Sequence, residues 1–120
     1  MAFIAIEGDT GAGLCLSPEH NVLGVQVPTP ATTIFDAKLA RNVFINNELI
    51  VLRDSEGTAT CGHTTTATTG ADIYIGRVFC ENKGVHCDTE EMGFGEFNQG
   101  GSYTVNPIVA RNVTILTEQI

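Results

Sequence analysis

Short apolar runs, each closed by Gly, Asn, Asp or Pro, organise this chain, and no stretch sustains the i, i+3, i+4, i+7 spacing of an amphipathic helix. The clearest run is Asn42-Val43-Phe44-Ile45-Asn46. It returns in weaker form at Asp72-Ile73-Tyr74-Ile75-Gly76 and again at Ser102-Tyr103-Thr104-Val105-Asn106, a fixed interval of about 30 residues. Ala40, Gly70 and Gly100 stand two positions ahead of the three copies. Each copy reads as a small polar lead-in, a β-branched or aromatic run and a turn-tolerant residue, the pattern of a strand entering a hairpin. Self-similarity at a fixed interval of this size marks a repeat architecture. Three equivalent hairpin units are therefore expected over residues 40–112, with residues 1–39 a divergent lead-in.

The segments between the copies are also strand-like. Phe3 to Ile6 runs into the Gly-rich turn Glu7 to Gly13, which no lysine and no helical pattern follow, so it is a turn and not a phosphate cradle. Leu14 to Thr33 carries Pro18, Pro28 and Pro30, and each proline removes a ladder donor, which predicts a loop or an edge strand. A short helical turn is compatible with Phe35 to Val43. Leu49 to Leu52 reads as a return strand, Arg53 to Gly57 as a charged turn, and Thr58 to Thr69, with seven threonines, as strand interrupted by Cys61-Gly62-His63. Arg77 to Cys80, a polar turn at Glu81 to Gly84, His86-Cys87, Ile108 to Ala110 and a last strand at Val113 to Leu116 complete the chain.

Composition narrows the class. The 120 residues make a single domain of residues 1–120, and abundant Val, Ile and Thr with 13 Gly and no Trp fit an all-β fold with many turns. Six basic residues against 14 acidic ones, a net charge of −8, cannot assemble the basic surface that phosphate backbones require, so nucleic acid is excluded as a partner. No apolar stretch approaches the ~18 residues of a membrane span, and the N-terminus has no basic start with an apolar core, so a soluble product without an export signal is expected. Four cysteines in such a chain are read as thiols or metal ligands before disulfides.

Every histidine lies close to a cysteine: His20 follows Cys15, His63 follows Cys61, and His86 precedes Cys87. Imidazole and thiolate together suit Zn²⁺ and also Fe²⁺. No C-x-x-C occurs, so the spacing is not that of a zinc finger, and turn histidines with buried thiols remain the alternative. Cys61 and His63 would face the same side of a strand, as a Cys/His nucleophile pair requires, yet no third, orienting group can be assigned. Asp54, Glu56, Glu90 and Glu91 fall in turn-like surroundings and read as solvated surface; Asn112-Val113-Thr114 is a glycosylation triplet with no secretory route beside it.

Asn42 to Asn47 followed by Val51 to Asp54, the stretch Thr69 to Val78, Gly101 to Asn106, and Glu7 to Gly11 together resemble the PAAR-repeat family, the tip proteins of contractile phage tails and type VI secretion spikes. The family's Pro-Ala-Ala-Arg signature has its nearest counterpart in Ile108-Val109-Ala110-Arg111. The resemblance implies three hairpin-like repeats around a pseudo-threefold axis, forming a cone whose apex is pinned by a structural metal ion, Zn²⁺ before Fe²⁺. It implies His20, His63, His86 and Cys87 as ligands, with Cys61 or Cys15 as substitutes. It further implies a monomeric, non-enzymatic virion component: a membrane-piercing tip on the baseplate, capping the trimeric β-helical central spike and meeting the target cell envelope. It would be made in the host cytoplasm. The alternative is a free-standing metal-binding β domain that acts as a protein-binding module.

Overall fold

The computed structural model describes residues 2–70, 79–88, 93–108 and 114–115, and among these the chain is all β, with no helix. The strands in chain order are β1 (Ala2–Phe3), β2 (Thr10–Cys15), β3 (Asn21–Val22), β4 (Val25–Gln26), β5 (Thr29–Ala37), β6 (Phe44–Ile45) and β7 (Glu48–Leu49). They continue with β8 (Glu56–Ala59), β9 (Thr64–Ala67), β10 (Phe79–Cys80), β11 (Lys83–Gly84), β12 (Phe94–Phe97), β13 (Gly101–Val105) and β14 (Thr114–Ile115).

Six of them close an antiparallel barrel in the order β12-β13-β2-β5-β8-β9. The barrel consists of three hairpins taken in sequence, β2 with β5, β8 with β9 and β12 with β13, and the second strand of each pairs with the first strand of the next. Alternating strand direction therefore puts all three hairpin loops, residues 16–28, 60–63 and 98–100, at one end. Closure also leaves no open sheet edge around the barrel wall.

At the other end sit three two-stranded sheets, β1 with β14, β6 with β7 and β10 with β11. They lead into three short segments, residues 4–6, 50–52 and 85–87, joined by the bridges Ile6 to Ile50, Leu52 to Val85 and Ile4 to Cys87. Their backbones close a ring of hydrogen bonds. Ala5 N donates to His86 O at 2.8 Å, His86 N to Val51 O at 3.0 Å, and Val51 N to Ala5 O at 2.9 Å.

Because successive residues of an extended chain face opposite ways, this ring divides the interior into two cores. Ala5 and Val51 turn into the barrel beside Phe35, Phe97, Tyr103 and Val105, and His86 joins them there, its ring edge-on to Phe35 at 5.5 Å. Ile4, Ile6, Ile50, Leu52, Val85 and Cys87 face the other way and pack with Ala40 and Ile45. The barrel is narrow enough that Tyr103 fills it. A Cβ at Gly95 would overlap the tyrosine ring, so only glycine lets the opposing backbone approach this closely.

Several expectations are met in detail. Thr58 to Thr69 forms the hairpin of β8 and β9 around Cys61-Gly62-His63, with Gly62 in the left-handed region at φ 91°. Asn46 and Asn47, at φ 53° and 66°, make the two-residue turn between β6 and β7 that a primed hairpin turn requires.

Phe44-Ile45-Asn46-Asn47 has a like turn in Phe79-Cys80-Glu81-Asn82, where Glu81 and Asn82 also have positive φ. Tyr103 to Val105 belongs instead to the barrel wall, and residues 71–78, the middle copy with Arg77 and Val78, lie outside the described residues. So do residues 89–92, with Glu90 and Glu91, and residues 109–113, with Asn112 and Val113. The stretch read as loop or edge, 14–33, keeps its loop only at 16–28. Pro30 is accommodated within β5 because the strand there pairs with Leu14 of β2 while its pairing to β8 begins only at Thr33. β5 also runs through Phe35 to Ala37, which leaves no helical turn in that stretch.

Candidate metal centre

The loop end of the barrel gathers Cys15, His20, Cys61 and His63, with one ligand atom from each lying within 4.8 Å of all the others. Two hairpins supply them. Cys15 is the last residue of β2 and is fully buried. His20 follows on a turn in which Ser17 O accepts from His20 N at 3.0 Å, while the buried Ser17 hydroxyl donates to Gln99 of the third hairpin loop at 2.6 Å. Cys61 and His63 flank Gly62 on the tight turn between β8 and β9, closed by bonds from Gly62 N to Ala59 O and from Ala59 N to His63 O, both 2.9 Å.

Distances within the group match a tetrahedral ion. His63 Nδ1 lies 3.3 Å from Cys15 Sγ and 3.7 Å from Cys61 Sγ. Metal bonds of about 2.3 Å to sulfur and about 2.0 Å to nitrogen, at tetrahedral angles, place sulfur and nitrogen about 3.5 Å apart. The His20 and His63 rings are 4.8 Å apart, and His20 Nε2 is buried with no hydrogen-bond partner, a polar atom that a bound cation would satisfy. On its outer side His63 Nε2 meets Glu19 Oε2 at 2.9 Å. A carboxylate on the far ring nitrogen is the usual means of fixing a ligating imidazole's tautomer, leaving Nδ1 as the lone-pair donor. Burial pushes the Cys15 thiol up, against a backbone hydrogen bond from Ser17 that lowers it; a cation would reverse that balance in favour of thiolate. The donor set of two thiolates and two imidazoles suits Zn²⁺ or iron. These four side chains can hold a metal ion.

Of the ligands expected from sequence, His20 and His63 meet here, and both substitutes, Cys15 and Cys61, join them. His86 and Cys87 are placed elsewhere. As neighbours on an extended segment they face opposite cores, and the ring nitrogens of His86 are engaged: Nδ1 donates to Thr69 O at 2.8 Å, which leaves Nε2 to accept from the Tyr103 hydroxyl at 3.1 Å. Burial lowers the His86 pKa to about 4 and raises the Cys87 thiol to about 12, the latter with help from Asp88. Both are neutral core groups at pH 7.

No family model, curated protein or solved structure matches the chain.

Glu19 and Ser17 were not singled out by sequence. Glu19 precedes His20 directly, but such a neighbour becomes a partner of His63 only through the turn that folds residues 17–20 back over the barrel end. All four cysteines are free thiols.

Proposed function

We propose that this protein is the non-enzymatic tip of a contractile phage tail or related injection machine, one copy capping a trimeric β-helical central spike and carried in the virion. In this reading the three hairpin units wind about a pseudo-threefold axis into a cone, and Zn²⁺ held by Cys15, His20, Cys61 and His63 pins the apex. The ring of backbone hydrogen bonds among Ala5, His86 and Val51 carries the proposal. Three segments far apart in sequence occupy equivalent places in it, and each stands between a two-stranded sheet and a barrel hairpin. One chain built this way offers a trimeric end three matching faces, which is how a monomer can seat on a threefold partner.

Two features of the loop end support a penetrating role. The hairpin of β3 and β4 stands out at this end with Val22, Leu23, Val25 and Val27 exposed, Leu23 at 99%, and no Asp, Glu, Lys or Arg occurs from His20 to Phe35. An uncharged, apolar finger enters an envelope at less desolvation cost than a charged one. The ion's contribution is mechanical: it would tie the long loop 16–28 to the turn between β8 and β9, where a barrel this narrow has little apolar core to do so.

The test is compositional. Purified contractile particles from the source organism should contain this chain at one copy per spike trimer, with antibody labelling at the distal end of the spike. Its absence from particles, or a stoichiometry of one per spike chain, would refute the assignment.

A further inference from the structure

The two thiols of the metal group come from different hairpins and meet at one point, one of them sealed and one accessible. Cys15 is fully buried, Cys61 is partly exposed on its turn, and their sulfurs lie within 4.8 Å of each other. A disulfide needs a sulfur separation of about 2.0 Å, and Cys61 sits on the turn between β8 and β9, the more exposed of the two positions. The other two cysteines stand apart from this group, Cys87 buried in the core beyond the hydrogen-bonded ring and Cys80 half-buried against that core.

We infer that Cys15 and Cys61 form a redox-labile pair, so that a peroxide converts the metal centre into a Cys15–Cys61 disulfide and expels the ion. This rests on the metal-centre reading above and adds a regulation to it. The chemistry balances with hydrogen peroxide as the oxidant. The accessible Cys61 thiolate attacks one peroxide oxygen, forming a sulfenic acid and releasing hydroxide. Cys15 thiolate then attacks the Cys61 sulfur, the S–S bond forms and a second hydroxide leaves. Two electrons pass from the thiolates to the peroxide, and the two hydroxides balance the charge of the divalent cation set free. His20 and His63 alone are then left to the ion, half of a four-ligand set. The outcome is a tip cross-linked between the first and second hairpins by one device before oxidation and by another after it. A protein assembled in a reducing cytoplasm and delivered outside the cell would cross between these two conditions.

The experiment uses the full chain in two forms, loaded with one equivalent of Zn²⁺ and stripped by chelator, each treated with hydrogen peroxide. Released Zn²⁺ is read with a chromogenic chelator, free thiols are counted, and disulfides are mapped by peptide mass spectrometry. In the loaded form the thiol count should fall from four to two as the bound Zn²⁺ is released, with Cys15 and Cys61 linked, and a reductant with Zn²⁺ should restore the starting state. Cys80→Ser should behave the same apart from its one missing thiol. Zn²⁺ retained with all thiols intact, oxidation of Cys61 that stops at a sulfinic or sulfonic acid, or a disulfide between Cys80 and Cys87 instead would each overturn the inference. Failure of the chain to take up Zn²⁺ at all removes the metal centre, whereas the stripped form still shows whether the two thiols pair.

Discussion

The Tyr103 hydroxyl lies 3.1 Å from His86 Nε2 in the middle of the barrel, and the pair links the barrel wall to the ring that closes its floor. His86 holds its other nitrogen on Thr69 O, so the neutral imidazole protonated at Nδ1 has both ring nitrogens satisfied, with Nε2 accepting from the Tyr103 hydroxyl. Tyr103→Phe keeps the ring that fills the barrel but leaves His86 Nε2 buried without a donor. A loss of about 1–3 kcal/mol is expected from an orphaned buried acceptor, measured as a lower denaturant midpoint at unchanged slope.

The same histidine makes stability depend on acid. Its folded pKa, about 4, is below the unfolded 6.5, so between these values the unfolded chain binds the extra proton and stability falls as pH falls. The contribution is whole above pH 6.5, declines from there and is exhausted near pH 4, amounting to about 3 kcal/mol in all. Unfolding free energies at pH 7 and pH 4.5, compared between the native chain and His86→Gln, should differ more in the native chain. An equal pH response in both would remove His86 as the cause.

Gly95 faces the Tyr103 ring at a separation that admits no Cβ. Gly95→Ala should therefore force the tyrosine or the β12 backbone aside and cost at least about 1–3 kcal/mol, the usual penalty of overfilling a packed core. Gly24→Ala, on the exposed turn between β3 and β4, meets no atom and should pay only for its positive φ, about 1 kcal/mol. Thermal melts of the two variants should rank them in that order.

Metal content discriminates among the candidate ligands. His63→Ala and Cys61→Ala should each lower bound Zn²⁺ at least tenfold and lower the melting temperature of the loaded protein, while leaving the chelator-treated protein little changed. Cys87→Ala should keep its Zn²⁺ although it loses about 1 kcal/mol or more of core packing. Inductively coupled plasma analysis alongside melting curves reads both effects. Glu19→Gln is expected to weaken binding by about tenfold, because the carboxylate only orients His63.

Local chemistry alone carried the β class, the threonine-rich hairpin around Cys61-Gly62-His63 and the turn at Asn46-Asn47, because strand alternation and positive-φ residues are properties of a few neighbouring positions. The like turn at Glu81-Asn82 was legible as a polar turn, but its likeness to the first was not, since glutamate is an unusual residue at positive φ. His63 and His86 both sit beside cysteines, and nothing local separates them. Their different fates, one at the barrel end facing Cys15 and one hydrogen-bonded within the core, depend on which strands pair.

Sequence by itself determined an all-β, acidic chain with thiols and imidazoles suited to a soft metal. Tertiary structure decided which of those donors meet. Cys15 and His63 lie 48 residues apart along the chain, and only the pairing of β5 with β8 brings the end of the first hairpin against the turn of the second. The pairing depends on how strands of similar composition fill one closed barrel around Tyr103, a property of the whole set of side chains and not of any one stretch.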